Sequence, residues 1–231
     1  MPDPMRWDDV EVVTLAFRGS LVDWRAAVES LLYETARRHG ESPLDRGARL
    51  RRRLEHLEAV SGAPEGRFAA AFDALARERG YRWACSGTAA LQRVITTCRA
   101  YADVVPALER AMRADLPVIA LGDADAAAVH AVLRPLDGAI RDVVTARQLG
   151  GSWDARAALT CALRRAGVPP ARALHVATGR EQLRAASSLG VRAAWLNRAA
   201  APPHPDLAFT TELRSLHALV DLAGRPAVAA G

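Results

Sequence analysis

The sequence predicts an α/β protein: a mostly parallel sheet with helices on both faces, and a bundle of four helices inserted directly after the first strand. Three observations carry this. An apolar run, Val12 to Phe17, breaks at Arg18-Gly19-Ser20-Leu21 and leads into Asp23-Trp24, which reads as a buried strand, a tight turn and a helix start. Four helical stretches then follow between residue 22 and about residue 100 with no strand between them. After residue 100, short apolar runs alternate with helical stretches, as a parallel sheet covered on both faces requires.

Each element has a local reason. Asp23 can cap a first helix running to about His39, with Ala27, Leu31, Leu32 and Ala36 as its apolar stripe. Gly40-Glu41-Ser42-Pro43 breaks it. A second helix, about Arg46 to Val60, places Leu50, Leu54, Leu57 and Val60 on one face and stops at Ser61-Gly62-Ala63-Pro64. A third, about Glu65 to Arg79, carries Phe68, Phe72 and Leu75 and ends at Gly80. A fourth, about Ser86 to Arg99, holds Leu91, Val94 and Ile95, with Trp83 assigned to the same stretch.

Pro106 sits near the start of the next helix, where its missing N–H costs nothing. Strands are then expected at Pro117 to Leu121, Asp142 to Val144, Ala173 to Val176 and Val191 to Leu196. Helices are expected after Asp125, over Ala155 to Ala166 and over Glu181 to Leu189. Asp206 to Phe209 and a closing helix, about Thr211 to Leu222, complete the core, and Gly224 to Gly231 reads as a frayed tail.

Composition narrows the class. The 231 residues are 50% hydrophobic and 25% charged, enough for one compact core with a smaller insertion. Apolar runs of roughly 18 residues are absent, so no membrane span is expected. The start, MPDPMRWDDVEV, carries acids and lacks an apolar core, unlike a secretory signal. Cys85, Cys98 and Cys161 are spaced too widely for a metal cluster and read as small buried residues, with the cytoplasm as the expected location. The net charge is +5 and every basic residue other than histidine is arginine. The run Arg51-Arg52-Arg53 reads as a solvated helix face with Glu55 and Glu58 as partners, and scattered aromatics (5%) give no nucleic-acid signature.

Gly19-Ser20-Leu21 with Asp23-Trp24, His175-Val176, and Trp195-Leu196-Asn197-Arg198 together resemble the haloacid dehalogenase superfamily, in its haloacid-dehalogenase-like branch. The resemblance covers about residues 10 to 222. It implies a Rossmann-like core made of residues 1–21 and 101–231, with a helical cap at residues 22–100. It also implies a reaction in which an aspartate attacks the substrate, a Ser or Thr binds its anion, a Lys or Arg offsets charge, and acidic residues hold Mg²⁺ or position water.

The residues at those positions differ. Ala16 occupies the nucleophile position, and a methyl group cannot form an aspartyl intermediate. Arg18 stands where phosphatases of the family place a second aspartate, and Ser20 takes the Thr position. Gly122 and Asp123 replace the hydroxyl of the second motif, leaving backbone N–H groups. Ser152, Trp153 and Asp154 fall where the family's Lys loop lies, and Thr178 replaces a fourth-motif aspartate, with Arg180 after it. No catalytic residue of the family mechanism and no metal ligand is expected, and no cofactor.

Candidate pocket residues are therefore Arg18, Ser20, Gly122, Asp123, Ser152, Trp153, Asp154, Thr178 and Arg180. Arg18 either binds a carboxylate or phosphate through its fork or pairs with Asp123 or Asp125. Trp153 stacks on a ligand or packs as an ordinary indole, and Asp154 either faces the site or caps a helix. Thr178 and Arg180 open a helix as an anion site, or serve as a cap and a solvated charge. His175, inside a strand, reads as a structural histidine.

The functional expectation is a protein that binds a small organic molecule without hydrolysis, or a metal-free enzyme of cyclisation, isomerisation or elimination. A catalytically inactive partner protein is the alternative, and a residual hydrolase using Asp123 or Asp154 as base the third. A homodimer is expected by analogy.

Overall fold

The computed structural model describes residues 9–40, 46–60, 67–82, 86–122, 124, 126–203 and 206–222. Six strands form one sheet: β1 (Val12–Ala16), β2 (Val118–Gly122), β3 (Asp142–Thr145), β4 (Ala173–Ala177), β5 (Arg192–Leu196) and β6 (Thr211–Leu213). Their order is β3-β2-β1-β4-β5-β6, and every pair is parallel. Strand β1 lies inside the sheet and each of its five residues is buried; its one polar side chain, Thr14, is satisfied by a 2.8 Å hydrogen bond with His175.

Its alternation divides the core in two. Val13, Leu15 and Phe17 face one layer, with Leu108 and Ala111 of α5 (Val104–Arg113) and Val129 and Leu133 of α6 (Ala126–Leu133). Val12 and Ala16 face the other, with Leu159 and Ala162 of α7 (Ala155–Ala166) and Leu183 of α8 (Arg180–Ser188).

Between β1 and α5 lie α1 (Trp24–Arg38), α2 (Arg46–Val60), α3 (Arg67–Arg79) and α4 (Gly87–Thr97), as the run of helical patterns predicts. Asp23 caps α1 by accepting from Ala26 N–H at 3.0 Å. Apolar contact is continuous from sheet to cap. Phe17 meets Trp24 at 5.9 Å between ring centroids, Trp24 meets Phe68 at 5.9 Å, and Phe68 meets Phe72 at 6.1 Å. The two connections between cap and core also pair: Asp23 N–H donates to the Arg99 carbonyl and Tyr101 N–H to the Leu21 carbonyl.

One element differs from its expectation. The closing helix expected over Thr211 to Leu222 is short, α9 (Leu219–Leu222), and Thr211–Leu213 is instead the edge strand β6. Thr-Glu-Leu takes the sheet period because its backbone extends the ladder of β5, with Leu196 opposite Leu213. Asp206 to Phe209 forms no strand, and Phe209 instead packs on Trp195 at 5.4 Å. Trp83, Cys85, Asp123, Asp125 and the tail from residue 223 lie outside the described residues.

Candidate functional site

The carboxyl ends of β1 and β4 are pressed together. Ala16 ends β1 at 1% exposure, with its methyl group in the apolar layer under α7. Phe17 N–H then donates to the Leu121 carbonyl, and the chain folds back so that Leu21 and Val22 donate to the Phe17 carbonyl. This reversal needs a left-handed residue, and Gly19 supplies it at φ +78°. A Cβ on Gly19 would also lie 2.6 Å from the Thr178 hydroxyl oxygen, so the glycine is fixed twice over. Ser20 is fully buried and its hydroxyl donates toward the Val176 carbonyl at 3.5 Å, stitching the loop to β4.

Gly122 ends β2 under a similar constraint: a Cβ there would lie 2.7 Å from the methyl groups of Val129 on α6. A hydroxyl-bearing side chain has no room at that position without a shift of α6. Asp123 lies outside the described residues. Ser152 and Asp154 are exposed, and Asp154 caps α7 by accepting from Ala157 N–H at 2.6 Å. Trp153 is half-buried against the apolar layer of α7 and α8. Arg180 opens α8 and approaches Asp206 at 3.6 Å on the surface.

A cavity of about 400 Å³ lies between the strand ends and the cap. Arg18, Gly19 and Thr178 form its floor, and Tyr101 stands at the cap–core connection. The loop after β5 adds Asn197, Arg198, Ala199 and Ala201. Above, α1 contributes Trp24 and Val28, and α2 contributes Arg51, Leu54 and Glu55. Of the residues expected from the sequence, Arg18 and Thr178 share this wall. Ser20, Gly122, Ser152, Trp153, Asp154 and Arg180 stand elsewhere. Among the described residues the lining comes from the β1, β4 and β5 ends, away from β2 and β3.

Two guanidiniums in the wall lie over aromatic rings. That of Arg18 sits 5.0 Å from the Trp24 ring centroid, and that of Arg198 sits 4.0 Å from Tyr101. Arg198 is held from every side. It donates to the Gly19 carbonyl at 3.2 Å, to the Ser20 carbonyl at 2.8 Å and to Asp103 at 2.7 Å. Asp103 accepts also from Leu216 N–H at 2.7 Å. Burial opposes the Asp103 charge, but the bonds from Arg198 and Leu216 outweigh it and hold the carboxyl below its ordinary range. Burial, with Asp23 beside it, pushes the Tyr101 phenol up to about 12, so it stays a neutral donor.

Arg51 corrects the reading of its run as a solvated face. Its side chain is only 12% exposed, bonded to Glu29 at 2.6 Å and to Glu55 at 2.5 Å, and it forms part of the cavity roof. Tyr101, Arg51, Leu54 and Glu55 were not anticipated as site residues. Trp195-Leu196-Asn197-Arg198 was visible as a motif, and it delivers the cavity's β5 side. His175 is structural: it is fully buried, shares a 2.8 Å hydrogen bond with Thr14, and lies beside Gln182 under α8. Among the described residues no three His, Cys, Asp or Glu side chains converge as metal ligands.

No family model matches the chain, and no curated protein matches it. Solved structures do. A dehalogenase crystal structure superposes with TM-score 0.78 at 18% identity, covering 93% of this chain and 97% of that one. A HAD phosphatase from Thermococcus onnurineus gives 0.71 at 17% identity, covering 95% and 100%. L-2-haloacid dehalogenase from Xanthobacter autotrophicus, with chloropropionic acid covalently bound, gives 0.70 at 15% identity, covering 93% and 98%. The protein therefore has the fold of the haloacid dehalogenase superfamily, a six-stranded parallel α/β core with a helical cap inserted after its first strand.

Proposed function

We propose that this protein binds a small organic molecule in the cap–core cavity and performs none of the hydrolysis for which the enzymes of this fold are known. The observation that carries the reading is Ala16: the side chain at the nucleophile position is a buried methyl group. The neighbouring positions support it. Mg²⁺ takes carboxylate and water oxygens, and Ala16, Arg18 and Thr178 offer it no carboxylate, so this donor set does not fit the ion. Gly122 has no space for the anion-binding hydroxyl of the second motif. Any reaction in the cavity is then a metal-free cyclisation, isomerisation or elimination, with Arg18 and Thr178 as the polar groups at the floor.

A second reading, an inactive partner of another protein or of a second copy, is favoured by one observation. Val105 (46% exposed) and Met112 (56%) stand seven residues apart on α5, two turns of one helix face. Cytoplasmic location belongs to the same proposal, supported by buried free thiols at Cys98 and Cys161. Among the described residues no helix is long and apolar enough to cross a membrane.

A fragment library screened by ligand-observed NMR against the wild-type chain and Arg18→Ala tests the binding role. Expected are fragments that bind the wild type and lose about tenfold in affinity in the variant. A screen without a single binder would remove the cavity from consideration.

A further inference from the structure

We propose that the cavity selects an uncharged ligand bearing a carbonyl group and rejects the carboxylate and ammonium counterparts of that ligand; this rests on reading the cavity as a ligand site. The reason is that the charges of its wall already compensate one another. Four guanidiniums line the space, from Arg18, Arg25, Arg51 and Arg198. Arg25 and Arg51 both bond Glu29, at 3.0 and 2.6 Å, and Arg51 also holds Glu55 at 2.5 Å. Arg198 is taken by Asp103 and by the carbonyls of Gly19 and Ser20. Arg18 is engaged in turn, its guanidinium over the Trp24 ring.

The acids are held as firmly. Burial opposes the Glu29 charge, but the bonds from Arg25 and Arg51 outweigh it and hold the carboxyl below its ordinary range, as those from Arg198 and Leu216 do for Asp103. A carboxylate entering here must take a guanidinium from a carboxylate already bonded to it, and it stands beside Glu55. An ammonium must draw Glu29 or Glu55 away from Arg51, and it stands among guanidiniums. Either exchange leaves a partly buried charge without its partner, which costs more than the new contact contributes.

The polar group still open in the floor is neutral. Thr178 is half-buried and has no hydrogen-bond partner among the described residues, and a hydroxyl both donates and accepts. The Asn197 amide in the same wall is closed off: it donates to the Ala201 carbonyl and to Glu212 and accepts from Ala201 N–H. A ligand carbonyl oxygen can accept from Thr178 without displacing an ion pair, while the body of the ligand lies along the exposed methyl groups of Ala199 and Ala201.

Ligand-observed NMR titration of the full chain at pH 7 with cyclohexanecarboxamide, cyclohexanecarboxylate and cyclohexylmethylammonium tests this, because the three share one ring and differ in charge. Expected is binding of the amide, with both ions weaker by at least about tenfold. Thr178→Val lowers amide affinity by about fivefold. Glu55→Gln, which takes a negative charge from the wall, raises carboxylate affinity by about threefold. Carboxylate or ammonium binding as tight as that of the amide overturns the inference and leaves the ligand cavity standing. Amide binding that Thr178→Val leaves unchanged overturns the role of the hydroxyl, and a carboxylate affinity unmoved by Glu55→Gln overturns the charge argument. Absence of binding by all three compounds removes the ligand site and the inference with it.

Discussion

Gly19 and Thr178 close the gap between the first and fourth strands: a Cβ on Gly19 would stand 2.6 Å from the Thr178 hydroxyl oxygen. A loop and a threonine side chain occupy it, and the open space lies beside it, toward β5 and the cap.

Gly19→Ala is therefore expected to destabilise the protein by about 1–3 kcal/mol, from a left-handed alanine and the clash with Thr178. Urea unfolding of Gly19→Ala with and without Thr178→Ala separates the two causes. The second change relieves the clash and leaves the backbone strain. Equal stability of Gly19→Ala and wild type would sink this view of the loop.

His175 predicts the acid limit of stability. Burial lowers its folded value from 6.5 to about 4, so between those values the unfolded chain binds the proton and the folded chain does not. Stability is full above pH 6.5 and falls as pH drops toward 4, by on the order of 3 kcal/mol from this group. Urea midpoints measured at pH 7, 5.5 and 4.5 in wild type and His175→Gln check it. The variant loses most of that slope; an unchanged slope assigns the acid sensitivity to other groups.

Arg198 and Asp103 tie the β5 loop to the return of the cap. Asp103 is held charged below its ordinary value of 3.8, so its contribution is present above that pH and is lost as pH falls further. Asp103→Ala leaves Arg198 and Leu216 N–H without their acceptor, and a loss of about 3 kcal/mol is expected. Arg198→Met removes the donor while retaining the contact with Tyr101, and it also loosens the Gly19-Ser20 turn. Hydrogen exchange at residues 18–22 reports this, and unchanged protection there would show that Arg198 is not the tie.

The first five strands were readable because each carries a short apolar run, and the breaks between elements carry a Gly, Pro or cap. Asp23 and Asp154 both cap the helices their positions imply. Strand β6 was not readable: three residues, Thr211-Glu212-Leu213, become a strand only because the edge of β5 is available to pair. Of the candidate pocket residues expected from the sequence, Arg18 and Thr178 line the cavity. Its roof was not legible. Arg51 and Glu55 look in sequence like an ordinary i, i+4 surface pair, and only the packing of α1 on α2 brings Glu29 to Arg51 and turns both toward the cavity. Ser152, Trp153 and Asp154 occupy the expected place in the chain, but the cavity sits on the other side of β1.

Turnover of p-nitrophenyl phosphate and of 2-chloropropionate, measured with Mg²⁺ and with EDTA, tests the non-hydrolytic reading most directly. On the proposed assignment of Ala16 to the nucleophile position, the predicted release of nitrophenol and of chloride equals that of the protein-free control under both conditions. Release above that control, magnesium-dependent and abolished by EDTA for the ester or protein-dependent for the haloacid, would contradict it.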